Sequence, residues 1–212
     1  MKSSSNKALV SIGCCCGPAI HMRALGINGE TYPLDWFCSY HDVYKIFENE
    51  FSGFLKTTKH TSLRNKEIGF PPDQELEYNL EYSVRIFHRE YEEGRGKSYE
   101  ETIQRRIDRL KKLLSSGTSE VIFIRRSHMP LHHTEVAISP LRPIEDSIGE
   151  KEDMEMLVKV IRRKYPNLKF KIHLFIDCNC RNYTESDSQY LRVKIIPGDL
   201  SECSFRNELL QL

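Results

Sequence analysis

Apolar and polar positions along the chain change period between two and 3.6, and the changes mark out the elements. Ala8 to Ile12 is a short apolar run closed by Gly13, which predicts a buried strand. Cys14, Cys15 and Cys16 follow, and after Gly17-Pro18 the residues Ala19, Ile20, Met22 and Leu25 recur at helical spacing as far as Gly26. Proline at the first helical position and glycine just past the end are helix punctuation. Ser39 with Asp42 predicts a second helix start, continued by Val43, Ile46, Phe47, Phe51, Phe54 and Leu55. Lys56 to Gln74 is polar and carries Gly69 and Pro71-Pro72, the pattern of a long surface loop. Leu80, Tyr82, Val84 and Ile86 alternate, predicting one strand through Phe87, and the charged stretch Arg89 to Lys97 predicts another loop.

The second half is more regular. Ser98-Tyr99-Glu100-Glu101 is a capping box, and Ile103, Ile107, Leu110 and Leu114 form the apolar stripe of the helix it opens, which Gly117 ends. Val121 to Ile124 predicts a strand, and Ser127 to Ser147 an irregular region holding His128, His132 and His133. A helix over Glu150 to Tyr165 is stopped by Pro166, strands are expected at Phe170 to Ile176 and Leu191 to Ile196, and Leu200 to Leu212 has room for a short terminal helix. Strands separated by amphipathic helices predict an α/β fold: a mostly parallel sheet flanked by helices, a three-layer, Rossmann-like sandwich with an irregular inserted region around 56–97. Residues 1–7 are expected to be a disordered lead-in to a single domain over 8–212.

Composition narrows the function classes. A formal charge of +1 gives no electrostatic case for nucleic acid or an acidic membrane surface. The basic residues Arg105, Arg106, Arg109, Lys111 and Lys112 alternate with acids and predict a solvated helix face. Arg125 and Arg126, with the histidines that follow them, read as a solvated loop. Seven cysteines, an odd number with three adjacent, fit reduced thiols in a cytoplasmic setting better than a disulfide framework. No apolar run approaches the roughly 18 residues of a membrane span. Cys178-x-Cys180 has zinc-type atoms at the wrong spacing for a ribbon or finger, so no metal and no cofactor are expected. The oligomeric state is open.

Chemistry concentrates at the first turn. Cys16 falls at the start of a helix, where unpaired N–H groups and the macrodipole favour an anion and lower a thiol's pKa. The same turn fits a phosphorylated or otherwise anionic small ligand, although the Gly-Lys-Ser/Thr of a P-loop and the Gly-x-Gly-x-x-Gly fingerprint are missing. Three classes therefore stand: a thiol hydrolase, a non-catalytic module binding an anion, and an interaction protein that kept the fold without the chemistry.

Ser11-Ile12-Gly13, Cys16, Ala19, Met22-Arg23, Leu25-Gly26 and Tyr32-Pro33-Leu34-Asp35-Trp36 together resemble the signature of a family named for papain-like cysteine peptidases, a domain of unknown function. Phe87-His88 is similar to its aromatic-His element, and Arg105 to Arg109 with Val121 to Arg125 to its Arg-rich helix and following strand. Leu34 stands where the family has Phe, and Tyr32 where small polar residues are common. The resemblance implies acyl transfer to Cys16 from a peptide or small-molecule substrate. His88 is the candidate acid/base and Asp35 the candidate orienting carboxylate, with an alternative role in pairing Arg23. Gly17, Arg23, Trp36, His128 and His133 are candidate substrate contacts, Gly17 through its backbone N–H.

Overall fold

A computed structural model of the chain describes residues 7–13, 16–27, 30–68, 71–72, 74–86, 98–117, 119–127, 140–141, 149–177, 183–196 and 201–212. The order is β1 (Lys7–Ser11), α1 (Gly17–Ala24), β2 (Phe37–Ser39), α2 (Val43–Glu48), β3 (Thr58–His60), a 3-10 helix (Leu63–Ile68), β4 (Leu76–Asn79) and β5 (Val84–Ile86). There follow α3 (Tyr99–Ser116), β6 (Glu120–Ser127), α4 (Glu150–Lys164), β7 (Phe170–Asp177), β8 (Ser186–Asp187), β9 (Leu191–Ile196) and α5 (Ser201–Leu209).

The strands form two sheets in a mixed α/β fold. The larger runs β1-β6-β7-β9-β8; its first four strands are parallel and β8 is an antiparallel edge. Its strands are apolar on both faces, as a parallel sheet covered on both sides requires. Val10, Val121, Phe123, Ile172, Leu174 and Val193 meet residues of α2, α3 and α4 on one face. Leu9, Ile122, Ile124, Phe175 and Ile196 meet Met22 of α1 and Phe205 and Leu209 of α5 on the other. The smaller sheet, β2-β5-β4-β3, is antiparallel throughout.

That second sheet changes the expectation for the region around 56–97, whose described part carries three strands and a 3-10 helix. Of the strand expected over Leu80–Phe87, only Val84–Ile86 is strand among the described residues; residues 80–83 are a turn held by buried Asn79. Its Oδ1 accepts from Tyr82 N–H at 3.0 Å, and its Nδ2 donates to the carbonyls of Gly53 and Phe54 at 2.9 Å. Ser39 is not a helix cap but the last residue of β2. The caps of α2 come from Asp153 on α4, whose carboxylate accepts from Val43 N–H at 3.0 Å and Tyr44 N–H at 3.1 Å. Arg125 and Arg126 do not lie in a solvated loop. They continue β6 and are 0% and 1% exposed. Arg106 is buried too, so the face of α3 is only partly solvated.

Local rules explain the rest. Ser98 Oγ accepts from Glu101 N–H at 3.3 Å, one half of the expected capping box, and Gly117 ends α3 with φ 61°. Arg162, Arg163 and Lys164 close α4 where the helix dipole favours cations; Arg163 meets Glu48, and Lys164 meets Glu50 at 2.8 Å.

Candidate functional site

β1 delivers the chain to the carboxyl edge of the parallel sheet, where Gly13 turns it with φ 84°. A side chain at Gly13 would collide with Ser39 Oγ, so only glycine lets the turn lie against β2. Cys16 is the N-cap of α1, with φ −73° and ψ −10°, and its carbonyl accepts from Ile20 N–H at 3.0 Å. Its thiol makes no capping hydrogen bond, and the first turn of α1 has no acidic side chain to compete with a thiolate. Cys16 is partly exposed. Gly17 opens the helix and Pro18, lacking an N–H, follows it.

Arg23 lies seven residues beyond Cys16, two turns on the same face and roughly 10 Å along the axis. Its guanidinium stacks 4.6 Å from the Trp36 ring centroid and stands 3.7 Å from Asp35 Oδ2. Asp35 is 1% exposed. Oδ2 accepts from Tyr32 N–H at 3.0 Å, whereas Oδ1 is buried without a hydrogen-bond partner. Burial lifts the Asp35 pKa to about 6, against the Tyr32 hydrogen bond and the attraction of Arg23, Arg106 and Arg109. Arg109 steadies the same segment from α3, donating to the Thr31 carbonyl at 2.6 Å and pairing with Glu30 at 2.8 Å.

A third cluster joins the two sheets. Arg125 donates to Glu150 through Nε and Nη2, both at 2.9 Å. It also donates to Ser39 Oγ at 2.7 Å, the Ser39 carbonyl at 2.9 Å and the Ile12 carbonyl at 3.3 Å. All five of its N–H groups are thereby used. Ser127 Oγ donates to Glu150 at 3.4 Å, and Asp153 lies close by. Burial, reinforced by Glu150 and opposed by Arg125, raises Asp153 to about 6.

Of the residues expected at the site, Cys16 and Gly17 share the first turn of α1, while Arg23, Asp35 and Trp36 form one cluster on the same side of that helix. His88, His128 and His133 lie outside the described residues, as do Cys14, Cys15, Cys178 and Cys180. The described histidines have structural surroundings: His21 accepts from Arg206 Nε at 3.0 Å, and His41 meets Asp42 Oδ2 at 3.2 Å. His173 is held down to about 4 by burial and then by Arg192 and Lys171. Among the described residues no group of three or more His, Cys, Asp or Glu side chains is placed to hold a metal ion, and no helix is long and apolar enough to cross a membrane.

The sequence reading missed Ser39, Arg125 and Glu150 as parts of this site. The signal available was the four apolar residues of β6 running directly into Arg125: a strand that continues carries its charge into the interior. Nothing local names the partners.

No curated protein and no solved structure matches the chain. A family model does, over residues 7–179, which include the turn, the second sheet and most of the parallel one. The chain therefore belongs to the family described as "Putative papain-like cysteine peptidase (DUF1796)".

Proposed function

We propose that this protein is a cysteine hydrolase that transfers an acyl group from an ester or amide to Cys16. The observation that carries the proposal is the placement of a partly exposed thiol at the N-cap of α1, with no acid in the first turn. In the proposed reaction the thiolate attacks the acyl carbon, and the oxyanion takes the Gly17 N–H. The leaving amine or alcohol takes its proton from an imidazolium. Water then attacks the thioester, its proton passes to the imidazole, and the carboxylate product leaves with the thiol restored.

His88 is the base in this scheme. Ile86 of β5 is the ladder partner of Phe37, and Ser39 that of Val84. Asp35 Oδ1, buried without a hydrogen-bond partner, is the group proposed to orient that base. Asp35 would then hold the imidazole in one tautomer, with Arg23 and Trp36 as the wall of the acyl pocket. Of the other candidate contacts, His128 and His133 remain proposals from the sequence.

An activated acyl probe tests this by intact mass. Acylation is expected on Cys16, lost in Cys16→Ala and kept in Cys14→Ala; labelling that survives Cys16→Ala overturns it. The same lack of acid in the first turn also favours a bound anion, the second function class raised by the sequence. Protection of Cys16 by inorganic phosphate, with no turnover of any acyl probe, would select that class.

A further inference from the structure

Arg125 grips two segments that lead to the two halves of the proposed site. Through Nη1 it holds the Ile12 carbonyl at 3.3 Å, four residues before Cys16. Through Nη1 and Nη2 it holds Ser39 Oγ at 2.7 Å and the Ser39 carbonyl at 2.9 Å, four residues after Asp35. Ser39 Oγ itself reaches the Ile12 carbonyl at 3.4 Å, so strand end and sheet edge are tied directly as well. The close approach demands Gly13, at whose position a Cβ would sit on Ser39 Oγ and 3.6 Å from Arg125 Nη1. Behind the guanidinium, the Glu150 carboxylate fixes its plane with two bonds of 2.9 Å, and Glu150 is in turn the first residue of α4. A planar fork held on one edge and donating from the other has little freedom left, which a lysine cannot reproduce.

We propose that Arg125 is a positioning residue of the thiol site: its buried guanidinium sets where the Cys16 turn stands relative to β2, the strand that follows Asp35. The inference rests on the thiol reading above. Arg125 touches no reacting atom; it acts through the Ile12 peptide on one side and β2 on the other.

The rate of Cys16 carbamidomethylation by iodoacetamide as a function of pH, followed on the Cys16 peptide by mass spectrometry, tests it in the full chain. Wild type is compared with Arg125→Lys, with Ser39→Ala, and with Leu114→Ala, a buried α3 residue outside this network that serves as the control for lost stability. Wild-type reactivity is expected to titrate below the ordinary thiol value of about 8.5. Arg125→Lys and Ser39→Ala are expected to move the midpoint up by about half a unit or more, a roughly threefold loss of rate at the acid end of the profile, while Leu114→Ala leaves it in place. A depressed wild-type midpoint that neither network variant moves overturns the positioning role and leaves the thiol reading standing. A midpoint that Leu114→Ala moves equally also overturns it, since loosening alone would then suffice. A wild-type midpoint at the free-thiol value overturns the thiol reading itself. Should Arg125→Lys fail to fold, Ser39→Ala, which removes one hydroxyl, decides the matter alone.

Discussion

Two buried charges near α1 are treated in opposite ways. Arg125 has every N–H matched to an oxygen at hydrogen-bond distance. Asp35 is as deeply buried, yet one of its oxygens has no hydrogen-bond partner, its nearest cation stands 3.7 Å off, and its pKa is lifted to about 6. A buried charge that serves only the architecture is normally satisfied in full, because an unmatched one costs free energy without return. Under-matched carboxylates with displaced pKa values concentrate where chemistry is done. The contrast separates a fully matched cation, Arg125, from an under-matched carboxylate, Asp35, and supports the role proposed for Asp35.

The largest expected effect comes from removing the matched cation. Arg125→Met leaves Glu150 buried without its main partner and should cost about 3–5 kcal/mol, the usual result of removing half a buried pair. Urea unfolding followed by far-UV circular dichroism measures it; a loss under 1 kcal/mol would show that Glu150 is satisfied by other means. Next comes Gly13→Ala, which combines a left-handed backbone with collision against Ser39 Oγ and should cost about 2–4 kcal/mol. Adding Ser39→Ala should recover part of that loss, so a cycle showing no coupling would refute the close approach.

Asp35 should behave in the reverse sense. Its folded pKa of about 6 lies above the ordinary 3.8, so the stability linked to its proton is fully present below pH 4 and is lost as the pH rises through 6. Asp35→Asn should therefore stabilise the protein at pH 8 by up to about 3 kcal/mol, the equivalent of about two pKa units, and the gain should vanish near pH 4. Acylation of Cys16 should fall at the same time. A variant less stable at both pH values, or one with unchanged acylation, would place Asp35 with the structural charges. The smallest effect is that of Arg109→Ala, about 1 kcal/mol, since its bonds to Thr31 and Glu30 are partly exposed. Thermal denaturation is sensitive enough to detect it, and a larger loss would mean that the 30–36 segment depends on α3 more than its exposure implies.

Local grammar in the sequence was sufficient for much of this molecule. The strand–glycine–helix opening, the Ser98 N-cap, the Ile103-Ile107-Leu110-Leu114 stripe and the strand Leu191–Ile196 depend on neighbours a few residues apart, and each stands where the pattern put it. The failures share one cause. Ser39 looked like a helix cap because Asp42 follows it, but α2 is capped by Asp153, 110 residues away. Leu80–Phe87 alternated like one strand, but Asn79 reaches back to Gly53 and Phe54 and turns the chain. Arg125 looked solvated because arginine usually is; its carboxylate lies 25 residues on and its carbonyl partners 86 and 113 residues back.

By itself, then, the sequence determined the helices and the main strands of the parallel sheet, the α/β class, the family and the place of Cys16 at a helix start, because propensity, capping and hydrophobic period act over one or two turns of chain. Which buried charges would be satisfied and which left under-matched was decided only by the tertiary structure. Hydrogen bonds between Arg125, Ser39 and Ile12 require two sheets and a helix end to be brought together first, and no local pattern of residues encodes that meeting.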